Sequence, residues 1–325
     1  MQDTEVSIIT RSEELPAMSC RNFFHSKELF HILEQTPGCS PYMCLVADSQ
    51  GIIQAHILAI VFRRGSLLPP YLYSHARIYG EGEYRDETKK DELFAQMLVV
   101  MTKYFRRRLC LYIEFSNLST KMFGYKWFRR TGYTPVRWLQ VHNSLHSMSP
   151  RERLSQKMLK KVTACENQGT TVEEAHGTDD IDAFYKILRS YYRFKIQRFI
   201  PHKEMFRLLH DNDRCRIFVT KLNDKVIGGC AVIYSNNDAY LWYVATRRKT
   251  YIKYHPYTTT IWHLLNDTHK RGIKHLRFMN AGLPFSKNPE REFILRFGGK
   301  PTSTFRWFRS MVPWTNRILG WFWRD

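Results

Sequence analysis

Hydrophobic and polar positions along this chain fall into blocks that switch between strand and helix periods, and the blocks recur. Residues 46–62 (VADSQGIIQAHILAIVF) read as an apolar strand, a polar turn holding Gly51, and a second apolar strand. Residues 219–235 (VTKLNDKVIGGCAVIYS) repeat this 173 positions later, with Asn-Asp in the turn. Short apolar runs joined by such turns predict β-hairpins. Upstream of each hairpin lies a short stretch with apolar residues at helical spacing, 29–33 and 205–209. Downstream, each gives an aromatic-rich strand, a polar loop, a long helix and another strand. These are 71–74, 90–107 and 111–115 in the first half, and 239–245, 257–271 and 275–279 in the second. A repeat of this length is far beyond a solenoid period and predicts a duplicated domain.

Between the halves, residues 151–166 read as a basic amphipathic helix. Leu154, Met158, Val162 and Cys165 recur at three and four, and Gly169 is a stop signal, so this segment is the expected hinge. Residues 179–193 form a further helix with an acidic first turn, which suits the helix dipole. Its Ile181, Phe184, Ile187, Leu188 and Tyr191 are expected in the core. A chain of 325 residues fits two domains. The expected fold class is α/β (α+β), each domain a central mixed, mostly antiparallel sheet flanked by helices. Residues 1–150 make the first domain and 151–304 the second, which carries the basic site.

Hydrophobic residues at 43% and charged residues at 25% are ordinary for a globular protein. The chain begins without a signal-like segment, and its apolar runs are too short to cross a bilayer. A soluble, cytoplasmic protein is expected. The seven cysteines show no CxxC pair and no zinc spacing, so no metal site is predicted. They are either buried small hydrophobes or include a reactive thiol, and they fit a reducing compartment. Charge changes the picture more. Residues 1–150 carry a net +4, residues 151–325 a net +16. An excess of that size in one half argues for a polyanionic partner, whether nucleic acid, a pyrophosphate-bearing substrate or an anionic membrane surface.

Several segments of the second half carry a family resemblance. They are the basic helix RERLSQKMLKKVTACENQGTTVEEA, the segment IDAFYKILRSYYRFKIQRFIPHKEMFRLL with Arg193 and Pro201, and the Gly-Gly hairpin RIFVTKLNDKVIGGCAVI. HPYTTTIWHLL, KRGIKHLRFMNAGLP and EFILRFGGKP close the set. Here the chain resembles the Fem-type peptidyltransferases, which are tandem GNAT-fold acyltransferases. The likeness covers roughly residues 150–310, and the repeat extends it to the first half. It implies two GNAT-like domains, the first completed by residues 305–325. It also implies transfer of an amino acid from aminoacyl-tRNA, or of another acyl group, to an amine on a lipid-linked cell-envelope (peptidoglycan-type) precursor.

Acyl transfer to an amine needs a bound carbonyl, a donor for the developing oxyanion, a route for the proton, and positioning. No GxSxG, HExxH, Walker loop or strand-linked GxGxxG is present, so direct attack on an activated donor asks least of the sequence. Residues 246–256 (TRRKTYIKYHP) precede a helix N-terminus, where free N–H groups favour anions. In GNAT proteins that use CoA this place holds a glycine-rich loop. Here there is no Gly but Arg247, Arg248, Lys249 and Lys253, which makes acyl-CoA the less favoured donor. The corresponding loop of the first half, RIYGEGEYRDE, has glycines, but its acids would repel phosphate. Arg189, Arg193, Lys195 and Arg198, interleaved with Tyr191, Tyr192 and Phe194, form a second basic group suited to phosphate. By resemblance, Arg193 meets the acceptor's phosphate. The candidate binding residues are thus Arg189, Arg193, Lys195, Arg198, Arg247, Arg248 and Lys249, with ordinary salt bridges as the other reading for each. Tyr243, Asn280 and Arg296 are the candidate catalytic residues.

Two departures from the family pattern touch this centre. Ile294 stands where the family's closing helix carries a Lys, and Arg277 stands where the preceding strand commonly carries an Asp. Arg296 lies about 200° round the helix from Ile294 and is no direct replacement. A non-catalytic protein binding anionic lipid precursors on the same scaffold, and a CoA-dependent N-acyltransferase, therefore remain alternatives. The terminal run FRWFRSMVPWTNRILGWFWRD mixes aromatics with arginines, as either a docking strand and helix or a peripheral membrane contact would.

Overall fold

The structure is a computed structural model and describes residues 4–65, 72–119, 122–193, 199–312 and 314–316. The chain divides into two compact units, residues 1–138 with 303–325, and residues 139–302. The boundary expected at 150/151 falls in the connection between a strand and the next helix, and that at 304/305 falls inside the last strand.

In unit 1 the chain runs β1 (Thr4–Ile9), α1 (Lys27–Glu34), β2 (Cys39–Asp48), β3 (Ile53–Gly65), β4 (Leu72–Tyr79), β5 (Glu83–Tyr84), α2 (Lys90–Arg107), β6 (Tyr112–Ser116), α3 (Tyr125–Arg130) and into β7 (Thr134–Ser144). The strand order is β1-β2-β3-β4-β6, followed by the returning last strand, β13 (Lys300–Ser310), and β7; β5 pairs with β3. Among the registered pairs of this unit β4 and β6 run parallel, and the others are antiparallel.

Helix α2 forms because its apolar residues recur at three and four: Leu93, Phe94, Met97, Leu98, Met101 and Phe105 are all buried. Asp91 and Glu92 in its first turn and Arg106 and Arg107 in its last complement the dipole. That stripe lies on Ile57, Ala76, Ile78, Ile113, Phe115 and Trp307. Trp307, wholly buried, stacks on Phe128 with ring centres 4.5 Å apart. Strand alternation sends Arg77, Glu114 and Arg306 to the other face. There Glu114 lies 3.2 Å from Arg77 and 3.2 Å from Arg306, and accepts from the Ser116 hydroxyl. Arg306 also lies over the Trp138 ring at 3.8 Å.

Unit 2 continues β7 and runs α4 (Gln156–Glu166), β8 (Thr170–Glu174), α5 (Thr178–Tyr192), α6 (Lys203–His210), β9 (Cys215–Leu222), β10 (Lys225–Ser235), β11 (Asp238–Thr246), α7 (Pro256–Lys270), β12 (His275–Phe278) and α8 (Pro289–Leu295). Its strand order is β7-β12-β11-β10-β9-β8, with β11 and β12 parallel. Both units thus carry antiparallel strands, one parallel pair joined through a long helix, and helices against the sheet.

The segment expected to act as a hinge lies within unit 2. Met158 and Val162 of α4 are buried with Ile261 and Leu265 of α7, so its apolar stripe anchors it inside unit 2. In α5 the buried aromatic of the last turn is Tyr192, and Tyr191 is only partly covered. The Gly-Gly of β10 is a packing requirement. A Cβ on Gly229 would stand 2.5 Å from the Phe218 carbonyl and 2.8 Å from the Phe184 ring.

The cysteines settle on the bland reading. Five of the seven are buried, and burial pushes the Cys39 and Cys44 thiols up to about 12.

Candidate functional site

The parallel pair of unit 2 comes apart. β11 pairs with β12 only from Asp238↔His275 to Leu241↔Phe278. Beyond that point β11 stays with β10 as far as Thr246, whereas the chain after β12 stays with β7, because Leu139 and residues 281–282 exchange N–H···O bonds of 3.1 and 2.9 Å. A bulge accompanies the split. Ala231 faces Tyr243 and Val232 faces Leu241, which leaves Trp242 as the extra residue. A bulge bends its strand and shifts the side-chain phase. Accordingly Ala239, Leu241 and then Val244 join the same apolar cluster, a spacing of two followed by three. Tyr243 is turned to the opposite side, 5.2 Å from the Phe206 ring of α6. Every residue of β11 is buried, and the Thr246 hydroxyl at its open end has no hydrogen-bond partner among the described residues.

The turn after β11 is wound tightly. The N–H groups of Arg247, Thr250, Tyr251, Tyr254, His255, Thr258 and Thr259 all bond to backbone carbonyls. His255 adopts a left-handed conformation, and Pro256 opens α7 without an N–H to offer. Most of the amides that would cradle a pyrophosphate are therefore engaged. What the turn presents is side-chain charge: Arg247, Arg248, Lys249 and Lys253 are all exposed.

The two basic groups singled out in the sequence come together here. The Tyr192 hydroxyl donates to the Val244 carbonyl at 3.5 Å, and Arg248 lies over the Tyr191 ring at 5.9 Å. The C-terminal turn of α5, with exposed Arg189 and Arg193, thus sits beside the open end of β11. Lys195 and Arg198 lie outside the described residues.

Of the other candidates, Asn280 is exposed between buried Met279 and Ala281, on the segment that leaves β11. Arg296 is exposed at the C-terminus of α8, and Ile294 is buried with Phe297 and Tyr257. The position of the family's cation is therefore core here. Arg277 is also accounted for: its guanidinium pairs with Asp238, which also accepts from the Tyr240 hydroxyl. The acid missing from β12 is supplied across the strand pair by β11. Sequence reasoning passed over Glu290, in the first turn of α8, where an acid is expected for the dipole alone. Burial pushes its carboxyl above the usual range. The Asn288 side chain, which caps α8 through the N–H groups of Glu290 and Arg291, also bonds the Ala281 carbonyl, and so ties this turn to the segment holding Asn280.

Among its described residues unit 1 shows no such split. β4 stays on β6 from His75↔Tyr112 to Tyr79↔Ser116, and the Gly80 N–H extends the pairing to the Ser116 carbonyl. The acids of the following loop are occupied: Glu81 pairs with Lys90 at 2.7 Å, and Glu83 accepts from the N–H groups of Arg21 and Asn22. Of the terminal aromatics, Trp307 belongs to the core and Trp314 is 64% exposed; residues 317–325 lie outside the described residues.

Among the described residues no helix is long and apolar enough to cross a membrane. The sequence profile of a family described as an acetyltransferase (GNAT) domain matches residues 152–287. No curated protein matches the chain in sequence. Similar solved structures include FemX, at 10% identity and TM-score 0.63, covering 93% of this chain and 94% of that one. A tandem GNAT protein from the clavulanic acid biosynthesis pathway is 10% identical with TM-score 0.55, over 96% and 99%. The C-terminal domain of a putative lysylphosphatidylglycerol synthetase from Agrobacterium fabrum is 10% identical with TM-score 0.55, over 82% and 89%. Likenesses at this identity establish the fold.

Proposed function

With residues 152–287 a GNAT-type acetyltransferase domain in a chain of tandem GNAT fold, we propose transfer of an acyl or aminoacyl group to an amine of a lipid-linked cell-envelope precursor. One observation carries the reading: β11 bulges and parts from β12 at the foot of a basic rim, most of whose backbone amides are already engaged. A parted strand offers N–H groups to a carbonyl in a water-poor setting, which suits an acyl group approaching its transition state. A rim dominated by side-chain cations favours an extended polyanion, such as tRNA, over the compact pyrophosphate of CoA.

In this reaction the acceptor nitrogen attacks the donor carbonyl carbon. A C–N bond forms, the bond from that carbon to the donor oxygen breaks, and the proton lost by the amine ends on the departing oxygen as a hydroxyl. Glu290, with its carboxyl held up by burial, is suited to take that proton. Asn280 stands at the mouth of the split to orient the amine, and Tyr243 supports the bulge by packing on Phe206. Arg189, Arg193, Lys195, Arg198, Arg247, Arg248 and Lys249 hold the phosphates of donor and acceptor, and the exposed Arg296 adds to the positive field. The resemblance to Fem-type enzymes favours aminoacyl-tRNA as donor. A neighbour named for lysylphosphatidylglycerol fits a lipid-borne acceptor.

The test offers the purified protein labelled aminoacyl-tRNA or labelled acyl-CoA, each with a lipid-linked amine. Label moving only from the aminoacyl ester is the expected result, and equal or faster transfer from acyl-CoA would overturn the donor assignment. A second reading, binding without catalysis, is favoured by buried Ile294 and by Arg277 tied to Asp238. It gains if the precursor binds saturably and no donor is consumed.

A further inference from the structure

We propose that the rim at the open end of β11 docks on an anionic phospholipid surface. Ile252 and Phe285 enter the interface, and Lys253 and Lys287 lie over the headgroups.

The apolar side chains carry the first part of the argument. Ile252 is 66% exposed and Tyr254 37% exposed, on a short 3₁₀ turn (Ile252–Tyr254) closed by the His255 N–H on the Ile252 carbonyl. Phe285 is 72% exposed on the loop after β12. Because β11 and β12 run parallel, the turn that follows one and the loop that follows the other lie at the same end of the unit 2 sheet. These side chains are held outward by ordered backbone. Residues 250, 251, 254 and 255 donate within the turn, and the Arg291 guanidinium bonds the Ala281, Leu283 and Ser286 carbonyls of the loop.

Charge carries the second part. Arg247, Arg248, Lys249, Lys253 and Lys287 are exposed beside these apolar residues, and neither 246–256 nor 281–288 contains an acid. An anionic bilayer attracts such cations, and each contributes about a fivefold gain in partition. Exposed aliphatic and aromatic side chains between cations are the composition of an interfacial anchor. A nucleic acid would use the cations and could stack on Tyr254 or Phe285, but gains nothing from an exposed Ile252.

The inference goes beyond the acyl-transfer reading and its test needs no turnover. Vesicles of phosphatidylcholine alone, or with phosphatidylglycerol at about 3:1, are sedimented with the full chain. Binding to the anionic vesicles only, weakening as salt is raised, is expected. Lys253→Ala should cost about fivefold. The paired Ile252→Ser, Phe285→Ser variant should cost about tenfold or more, with unchanged melting temperature because both residues are exposed. Binding of a structured RNA by that pair should remain within about twofold of the parent. No binding to anionic vesicles, or binding indifferent to the serine pair, overturns the proposal. An equal loss of RNA binding in the serine pair would mean that Ile252 and Phe285 serve nucleic acid and not lipid, and would overturn the proposal too.

Discussion

Glu114→Gln isolates one interaction whose cost can be worked out from the structure. The carboxylate lies 3.2 Å from each of two guanidiniums, and the side-chain exposures are 8% for Glu114, 18% for Arg77 and 11% for Arg306. Burial opposes its ionisation, but Arg77, Arg306 and the Ser116 hydroxyl outweigh burial and hold the carboxyl below its usual range. The amide keeps the shape but removes the negative charge that faces two largely buried guanidiniums, a change that costs about 3–5 kcal/mol. A domain of this size loses roughly 2–4 °C per kcal/mol, so unit 1 should melt about 10 °C lower by calorimetry at neutral pH. The loss should persist at high salt, because buried pairs are weakly screened. Adding Arg306→Met to Glu114→Gln removes one of the two facing guanidiniums, so the double variant should be less destabilised than the two single effects summed. A shift below about 2 °C for Glu114→Gln, or strict additivity in the double variant, would refute the reasoning.

Three further outcomes are expected. Burial, aided by neighbouring charge, lowers His25 to about 3 and His75 to about 4, and burial lowers His56 to about 4. Their folded values lie below the unfolded value near 6.5, so their stabilisation is full above pH 6.5 and is lost as pH falls toward 4 and 3. The unfolding free energy of unit 1 from urea melts should drop by roughly 1–2 kcal/mol per ring at pH 5, and a flat profile from pH 7 to 5 would refute this. Gly229→Ala places a Cβ 2.5 Å from a backbone carbonyl and 2.8 Å from Phe184, and should destabilise unit 2 by about 1–3 kcal/mol in denaturant melts. Ile294→Lys, which restores the family's residue, should cost about 3 kcal/mol or more by the same melts, because Ile294 is 7% exposed in the core. Parental stability in that variant would mean that the position opens onto the site.

Much of the fold was legible because it is local. The stripe at 93, 94, 97, 98, 101 and 105 determines α2, whose ends at Lys90–Arg107 match the spacing prediction, and both hairpins follow from apolar runs around turn residues. The repeat was legible for the same reason, since each copy uses the same order of periods. The basic groups at 189–193 and 247–249 could be named, but not their meeting. That depends on the Tyr192 contact with Val244 and the Arg248 contact with Tyr191, between residues dozens of positions apart.

Tertiary structure decided which half has a parted parallel pair and how the residues at the two departures are packed. The same strand-helix-strand order gives a parallel pair that stays closed at β4 and β6 but parts at β11 and β12. The difference lies in register, in the bulge at Trp242 and in the hold of Leu139 on the chain after β12, none of which is a property of a single strand. Arg277 reads as a lost acid until the parallel register brings Asp238 to it, and Ile294 reads as a lost cation until packing shows that nothing charged would be at ease there. Periodicity is written in neighbouring residues and determines elements. Pairing, burial and charge compensation join residues far apart in the chain, and only the folded molecule supplies them.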